Sequence, residues 1–314
     1  VKIAILHIML LILNPIIIGY GHAILTETLA PVIALLTVWL SIIWYKDNKT
    51  FKENCFKKIF YIIVFCILAI LMWLMCANAM YTQDIFEMDN LCYSISSDST
   101  VTVIRKFSGS YKGDIIIPES VSFKKREYTV TEIAGSAFNG YSITTVSIPP
   151  SIKKIRERAF GTSNLSAVYI TDLKAWCEIE FAESSSFSDG KGNHYFSYAN
   201  PLSCAQRLYI NGEEVTNLEI PDSITNIGAY AFQNYTSLTS VTIASAKIEE
   251  GAFDRCSNLV NVFIGESVKS VNGFSNCPNL TNVTFGNSVS EIGKKAFENC
   301  VSLEKIDLPE NLEV

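Results

Sequence analysis

The sequence predicts a β-rich leucine-rich-repeat solenoid of the α/β class, with short strands on its concave face, preceded by an all-α transmembrane segment of two to three helices. Two observations lead to this fold class. After residue 131 the dipeptide Ala-Phe, once replaced by Gly-Phe, recurs, and each copy is followed by an apolar-x-apolar triplet. Before residue 81 the chain instead holds uncharged apolar runs of 17 to 22 residues. These are the sequence signatures of a repeat protein and of membrane helices.

The first 80 residues are expected to cross the membrane as helices at about 3–20, 29–45 and 59–80. The run Ile59–Met80 holds 22 residues without a charge, enough to cross about 30 Å of hydrocarbon at about 1.5 Å per residue. Five lysines lie in the loop 46–58, and short loops rich in lysine stay in the cytoplasm. The chain after Met80 is therefore expected on the non-cytoplasmic side, in the periplasm or at the cell surface, and anchored to the membrane.

An alternative interpretation makes the third apolar run a signal peptide. Lys57 and Lys58, the apolar run and Ala77-Asn78-Ala79 follow the order of a charged region, an apolar region and a cleavage site. Cleavage near Ala79 would secrete the chain that follows. Both interpretations export residues 81–314.

The repeats are expected at 132–314, after a cap at 81–131. The steps between the repeat phenylalanines are 22, 72, 21, 21 and 23 residues, so a long insertion interrupts a period of about 22. The alternation within each triplet is typical of a short strand with one buried face, and stacked coils of this kind share one core. The phenylalanines are Phe138, Phe160, Phe232, Phe253, Phe274 and Phe297. The triplets begin and end at Val146/Ile148, Val168/Ile170, Val241/Ile243, Val262/Ile264, Val283/Phe285 and Ile306/Leu308.

The insertion at 172–217 carries its own local signals. Asp172 is expected to cap a short helix that ends at Cys177, because an aspartate accepts hydrogen bonds from the first free backbone N–H groups of a helix. Asn211-Gly212, between two apolar segments, predicts a tight hairpin. The polar, glycine-containing stretch 184–197 between them is interpreted as an exposed loop.

At this point a resemblance becomes specific. The segment Ile220–Ile243 follows the pattern I-P-x-S-[VI]-x-x-I-G-x-x-A-F, then x-x-C-x-x-L-x-x-V-x-I with Tyr235 at the cysteine position. It resembles the BspA-like leucine-rich-repeat family of bacterial surface proteins, and the likeness covers roughly Tyr93 to the end. The entry segment GSYKGDIIIPESV is similar to the family's amino-terminal cap. The resemblance implies a surface-exposed, non-catalytic protein that binds host matrix, host cells or other bacteria.

The cysteines suggest a core rather than a metal site. Cys256, Cys277 and Cys300 share one repeat position, so we expect them to stack at about 4.8 Å as a ladder of buried thiols. No histidine joins this ladder, and neither a metal nor another cofactor is predicted. Cys177 and Cys204 flank the insertion and could form a disulfide in an oxidising compartment.

Catalysis finds little support in the residues. His194 is the only histidine after Met80, and the sequence lacks a G-x-S-x-G nucleophile motif. We therefore expect no enzyme, although a hydrolase with its site in the insertion, using His194 or Asp189, remains an alternative. The net charge is −6, and no basic run follows residue 58, so the electrostatic footprint of nucleic-acid binding is missing.

The middle residue of each triplet is expected to point outward, onto the concave face. Large aromatic residues at such positions are typical of binding hot spots, although β-propensity alone also favours them there. Together with Ser147, the predicted binding residues are Tyr169, Tyr209, Glu219, Thr242, Phe263, Thr284 and Asp307.

The sequence thus favours a membrane-anchored or exported surface protein that binds a protein or glycan partner on this face. Nineteen basic and 28 acidic residues follow Met80, so the exported part is acidic. The alternative is a membrane receptor or assembly subunit, in which the repeats sense a ligand or act as a spacer.

Overall fold

The computed structural model describes residues 85–161, 163–183, 199–312 and, for the backbone alone, 185–188 and 194–197. The predicted membrane helices at about 3–20, 29–45 and 59–80 and the loop 46–58 lie outside the described residues. Within the part of the chain that is described, no helix is long and apolar enough to cross a membrane.

Two sheets of short strands form one side of the solenoid. The first face sheet contains the strands Lys112–Ile116, Ser142–Ser147, Ala167–Ile170 and Leu208–Ile210 in parallel, and Glu213–Glu214 antiparallel at its edge. The second face sheet is all parallel and contains Asn217–Ile220, Ser240–Ile243, Asn261–Ile264 and Asn282–Phe285. Most of these strands alternate inward and outward residues, as in Ser240–Ile243, where Val241 and Ile243 are buried and Thr242 is exposed. The triplets therefore form strands because one of their faces is apolar.

A second series of strands closes the other side of the coils. The back sheet contains Ile85–Met88, Leu91–Ile95, Thr100–Ile104, Arg126–Ile133, Lys154–Ile155 and Glu180–Phe181, with Ser120–Phe123 paired to Arg126–Ile133. Its first three strands are antiparallel and cover the first coil. Two parallel pairs follow, Asn226–Ile227 with Lys247–Ile248 and Ser270–Val271 with Glu291–Ile292.

The core lies between these two series and repeats from coil to coil. The rings of Phe232 and Phe253 stack at 5.1 Å, and those of Phe253 and Phe274 at 5.0 Å, with interplanar angles of 9° and 2°. Leu259 and Leu280 are fully buried beside them. The rings recur at the coil spacing because every coil places its Ala-Phe turn in the same position.

The insertion contributes an expanded coil, which we define as residues 171–214. The predicted helix is present as Leu173–Cys177, and Asp172 Oδ1 accepts a hydrogen bond from Ala175 N at 3.0 Å. Glu180–Phe181 extends the back sheet, and Leu208–Ile210 extends the first face sheet. The 72-residue step between phenylalanines thus contains one long coil, which pairs with the preceding coil in both the back sheet and the first face sheet.

Two further features complete the expanded coil. The predicted hairpin joins Leu208–Ile210 to Glu213–Glu214, with positive φ angles of 52° at Asn211 and 88° at Gly212. A second helix, Leu202–Ala205, was not predicted. Its first turn is fixed by Asn200, whose Oδ1 accepts a hydrogen bond from Leu202 N at 2.9 Å.

Two predictions of local structure were wrong. The stretch 184–197, interpreted as a loop, contains the antiparallel strands Ser185–Ser188 and His194–Ser197. Phenylalanine and tyrosine have high β-propensity, and Phe187, Tyr195 and Phe196 therefore favour these strands. The last triplet, Ile306 to Leu308, lies outside any strand, and with it Asp307. Leu308 is 56% exposed, so this triplet lacks the burial that holds the earlier ones in place.

Candidate binding surface

The first face sheet aligns four outward residues into one row, which we name the first row: Ile116, Ser147, Tyr169 and Tyr209. Strand pairing sets Ile116 opposite Ser147, Ser147 opposite Tyr169, and Tyr169 opposite Tyr209. Ile116 is 74% exposed and was missed from the sequence, because its strand was assigned to the cap. The signal was present, since Ile115-Ile116-Ile117-Pro118 repeats the triplet-proline pattern of residues 146–149.

Tyr169 and Tyr209 form a stacked pair on adjacent strands. Their ring centroids are 4.7 Å apart with an interplanar angle of 20°, and both side chains are half-buried. Stacked aromatic pairs of this geometry contribute about 0.5 to 1.5 kcal/mol beyond the burial of their area. The structure therefore brings together two of the three aromatic residues that the sequence singled out.

The hairpin fixes the outer tyrosine. Tyr209 Oη donates a hydrogen bond to Glu214 Oε2 at 3.1 Å, and Arg207 Nε lies 3.7 Å from Glu214 Oε1. The hydrogen bond to Glu214 raises the pKa of Tyr209, because it favours the protonated phenol. Tyr209 is thus held on one side by Tyr169 and at its hydroxyl by the hairpin.

The remaining predicted residues lie on the second face sheet, in what we name the second row. Strand pairing sets Glu219, Thr242, Phe263 and Thr284 opposite one another in that order. Phe263 is 45% exposed and stands between two threonines. The structure does not place Phe263 in register with the tyrosines, because the two rows belong to different sheets. Asp307 belongs to neither row.

Two clefts flank the hairpin that separates the rows. One, of 560 Å³, is lined by residues 210–211 and 213–217. The other, of 390 Å³, opens beside the first row and is lined by Ile117, Glu119, Ser147, Ile148, Pro149, Pro150, Tyr169, Ile170, Thr171, Asn211 and Gly212. Ser147 and Tyr169 therefore belong both to the first row and to this second cleft.

The cysteines lie in the core and not on this surface. Cys256, Cys277 and Cys300 are buried free thiols, which confirms the predicted ladder. Each donates a hydrogen bond to the carbonyl of the phenylalanine one coil earlier, at 3.2 to 3.4 Å, namely Phe232, Phe253 and Phe274. The thiol ladder therefore joins successive coils through their backbones.

The proposed pairing of Cys177 with Cys204 is not formed, since both are free thiols. Cys204 Sγ instead donates to Phe160 O at 3.4 Å, so Cys204 takes the ladder position in the expanded coil. Burial raises the pKa of Cys177 to about 12, which makes its thiol a poor nucleophile at neutral pH.

The residues of the alternative catalytic site, His194 and Asp189, have no described side chains, so that alternative stays a prediction. His194 is described only by its backbone, in the strand His194–Ser197, and Asp189 lies outside the described residues. Among the residues that the structure describes, no three histidine, cysteine, aspartate or glutamate side chains are grouped so that they could hold a metal ion.

The coils, the shared core and the outward rows define the class of leucine-rich-repeat proteins. A family model described as the BspA type leucine rich repeat region matches residues 82–200 and 203–314 in six copies. The chain belongs to this BspA-type family. No curated protein matches its sequence significantly.

Solved structures of bacterial proteins are also similar to the chain. A leucine-rich repeat protein from Bacteroides ovatus is 21% identical with a TM-score of 0.32, over 73% of this chain and 83% of that chain. The T. pallidum leucine rich repeat protein is 20% identical with a TM-score of 0.41, over 69% and 90%. A leucine rich cell surface protein from Faecalibacterium prausnitzii is 15% identical with a TM-score of 0.34, over 73% and 89%.

Proposed function

We propose that the chain is a surface protein, anchored in the membrane or exported, that binds a protein or glycan partner on its first row without catalysing a reaction. One observation carries the proposal. Tyr169 and Tyr209 form an ordered aromatic pair on the outward side of a rigid sheet. The core does not require these rings, because three of the four outward positions of the second row hold threonine or glutamate. Aromatic side chains on a rigid support are the residues that most often dominate binding energy.

The location outside the cytoplasm is proposed from the sequence and the family. The 22 uncharged residues of Ile59–Met80 follow five lysines in the loop 46–58, an order that exports the chain after Met80. The BspA-type repeats occupy that exported part. Protease added to intact cells, or to cells whose outer membrane has been permeabilised, should then degrade the repeats, whereas it should leave them intact in both samples if they lie in the cytoplasm.

Binding is tested with the full chain in a mild detergent on arrays of matrix proteins and glycans. A variant carrying Tyr169→Ala and Tyr209→Ala is compared with a variant carrying Phe263→Ala alone. The proposal expects a partner whose binding falls at least tenfold in the tyrosine variant and less than twofold in the Phe263 variant. Because the two rows lie on separate sheets, Phe263→Ala is a matched loss of one exposed ring elsewhere on the face.

Folding is controlled by comparing the urea unfolding midpoints of both variants with that of the unsubstituted chain. A partner that binds the tyrosine variant as tightly as the unsubstituted chain would overturn the assignment of the first row. Loss of binding in the Phe263 variant alone would move the site to the second row.

A further inference from the structure

The first row has a gap at Ser147. On one side of it stands Ile116, which is 74% exposed, and on the other side stands the ring of Tyr169. Neighbouring strands are about 4.8 Å apart, so these two side chains are separated by about 10 Å along the row. A serine side chain is too short to fill that space. The strand register therefore predicts a slot with Ile116 and Tyr169 as walls and Ser147 as floor.

The width of the slot matches one planar ring. Tyr169 and Tyr209 already stack at 4.7 Å, which is the strand spacing itself. A third ring placed above Ser147 would continue the stack at the same separation, within the range of about 4.5 to 7 Å that aromatic pairs prefer. The side of Tyr169 away from Tyr209 faces this position, because Ser147 pairs with Tyr169 on the next strand.

The slot is preformed and its end is apolar. Ile117 N donates to Ser147 O at 3.2 Å, and Ile148 N donates to Tyr169 O at 2.9 Å, so the strand ends are fixed to one another. The adjoining 390 Å³ cleft is lined by three isoleucines and two prolines. A ring that entered the slot would therefore meet apolar groups on both faces and at its inner edge.

This environment distinguishes two kinds of ring. An aromatic side chain has two apolar faces and needs no hydrogen bonds across them. A pyranose carries hydroxyl groups around its ring, which lose water on entry and need partners to offset that cost. Because these hydroxyls lie at the edge of the sugar ring, the isoleucines and prolines at the inner edge of the slot, and not its walls, favour the aromatic side chain.

Two acidic residues lie beside the slot. Glu119 lines the cleft, and Asp114 lies two residues before Ile116 on the same strand. The hydroxyls of Thr144 and Thr145 each donate to Asp114 Oδ1 at 2.7 Å and lower its pKa, so Asp114 is ionised at neutral pH. The nearest cation on that strand, Lys112, stands at its far end. A segment that brings lysine or arginine beside its aromatic residue would complement this charge.

We propose that the slot above Ser147 binds one aromatic side chain of a protein partner, from a segment with lysine or arginine next to the ring. The inference rests on the proposed function and specifies the class of its partner. Ser147 itself is small because the partner supplies the ring that the row lacks.

The test is a substitution that fills the slot with a side chain of the protein itself. Ser147→Tyr places a ring where the partner's ring would lie and continues the existing stack, so the variant should fold and lose binding. Thr242→Tyr is the matched control, because it adds a tyrosine at an exposed outward position of the second row. Ile116→Ser removes the opposite wall at a residue that is mostly exposed, and serves as a second variant if Ser147→Tyr does not fold.

The probe is a fluorescein-labelled peptide, Lys-Ala-Lys-Trp-Lys-Ala-Lys, titrated with the full chain in a mild detergent at low salt. We expect it to bind at least tenfold more tightly than the same peptide with alanine for tryptophan. Ser147→Tyr should weaken its binding at least tenfold, Ile116→Ser at least threefold, and Thr242→Tyr less than twofold. Equal binding of the two peptides, or undiminished binding by Ser147→Tyr, would overturn the inference. Displacement of the peptide by cellotriose, but not by free N-acetyltryptophanamide, would also overturn it in favour of a sugar.

The same variants separate this inference from the proposed function. If an array partner is lost in the Tyr169→Ala, Tyr209→Ala variant but kept by Ser147→Tyr, the first row is the binding surface and the slot is not. If that partner also binds the tyrosine variant normally, the proposed surface itself fails, whatever the peptide does.

Discussion

The regular coils at 217–300 and the expanded coil at 171–214 differ in where their aromatic rings stack, in the core or on the outward face. In the regular coils the stack is internal, where Phe253 meets its neighbours at 5.0 and 5.1 Å. Their outward residues change from coil to coil without stacking. The expanded coil lacks the Ala-Phe dipeptide, and its buried Trp176 and Phe181 rings meet at a tilt of 59°. Its stacked ring lies outside, where Tyr209 packs on Tyr169 of the preceding coil.

The difference teaches which contacts the fold requires. Every coil must bury a side chain at the position of the Ala-Phe turn, and it must form hydrogen bonds to the backbone of its neighbouring coils. The expanded coil meets both requirements with other residues. Trp176 is buried, and its Nε1 donates to Ala231 O at 3.1 Å. Cys204 takes the place of the ladder thiol. The outward tyrosine pair meets no such requirement, which is why we assign it to binding.

The largest loss of stability in the expanded coil is expected from substitution of Trp176. Trp176→Ala should lower the free energy of unfolding by about 3 to 5 kcal/mol, because it leaves a large cavity and removes one of the two side-chain hydrogen bonds that Ala231 O accepts, the other coming from Asn200 Nδ2. Phe253→Ala in a regular coil should cost a similar amount. Urea unfolding of the full chain followed by far-ultraviolet circular dichroism measures both. A loss below about 1 kcal/mol for Trp176→Ala alone would show that the expanded coil does not share the core.

A smaller effect tests the equivalence of the regular coils. Leu259→Ala and Leu280→Ala each remove a fully buried side chain from the same position of adjacent coils and should each cost about 2 to 5 kcal/mol. Thr242→Ala, at an exposed position, should change stability by less than about 0.5 kcal/mol. The same urea titrations provide the comparison. An unchanged midpoint for either leucine variant would contradict the repeat register derived from the sequence.

The inward residues could be predicted because the coil imposes them. Each coil repeats a phenylalanine, a leucine and an alternating triplet at steps of 21 to 23 residues. Only one register of the coils turns all of these residues toward the core, and the strands are paired in that register. The expanded coil was harder, because no Ala-Phe dipeptide precedes Cys204 and its triplet begins with Leu208 instead of valine or isoleucine. The separation of Phe263 from the tyrosines was not predictable either. It depends on the hairpin at Asn211-Gly212, which was predicted locally but whose effect on the sheet is a tertiary property.

The contact between the two regions offers the finest test of the comparison. Gly228 begins the first regular turn, and its N–H donates to Cys177 O at 2.8 Å. A β-carbon at Gly228 would lie 2.8 Å from that same oxygen and 3.3 Å from Ile179 O. Both neighbours are backbone atoms and cannot rotate away, so Gly228→Ala should force the expanded coil from the regular coils at a cost of about 1 to 3 kcal/mol.

Gly135 in the turn of the first repeat lies one position nearer its phenylalanine than Gly228 does, and it supplies the control for this substitution. A β-carbon at Gly135 would lie 3.3 Å from Glu157 O and 4.0 Å from the β-carbon of Arg156, a milder contact that small shifts relieve. Gly135→Ala should therefore cost less than Gly228→Ala in the same urea titration. Equal costs would mean that the junction at Gly228 is no tighter than an ordinary coil contact. The expanded coil would then be one more repeat, and its different interior would impose no special constraint on the coil that follows.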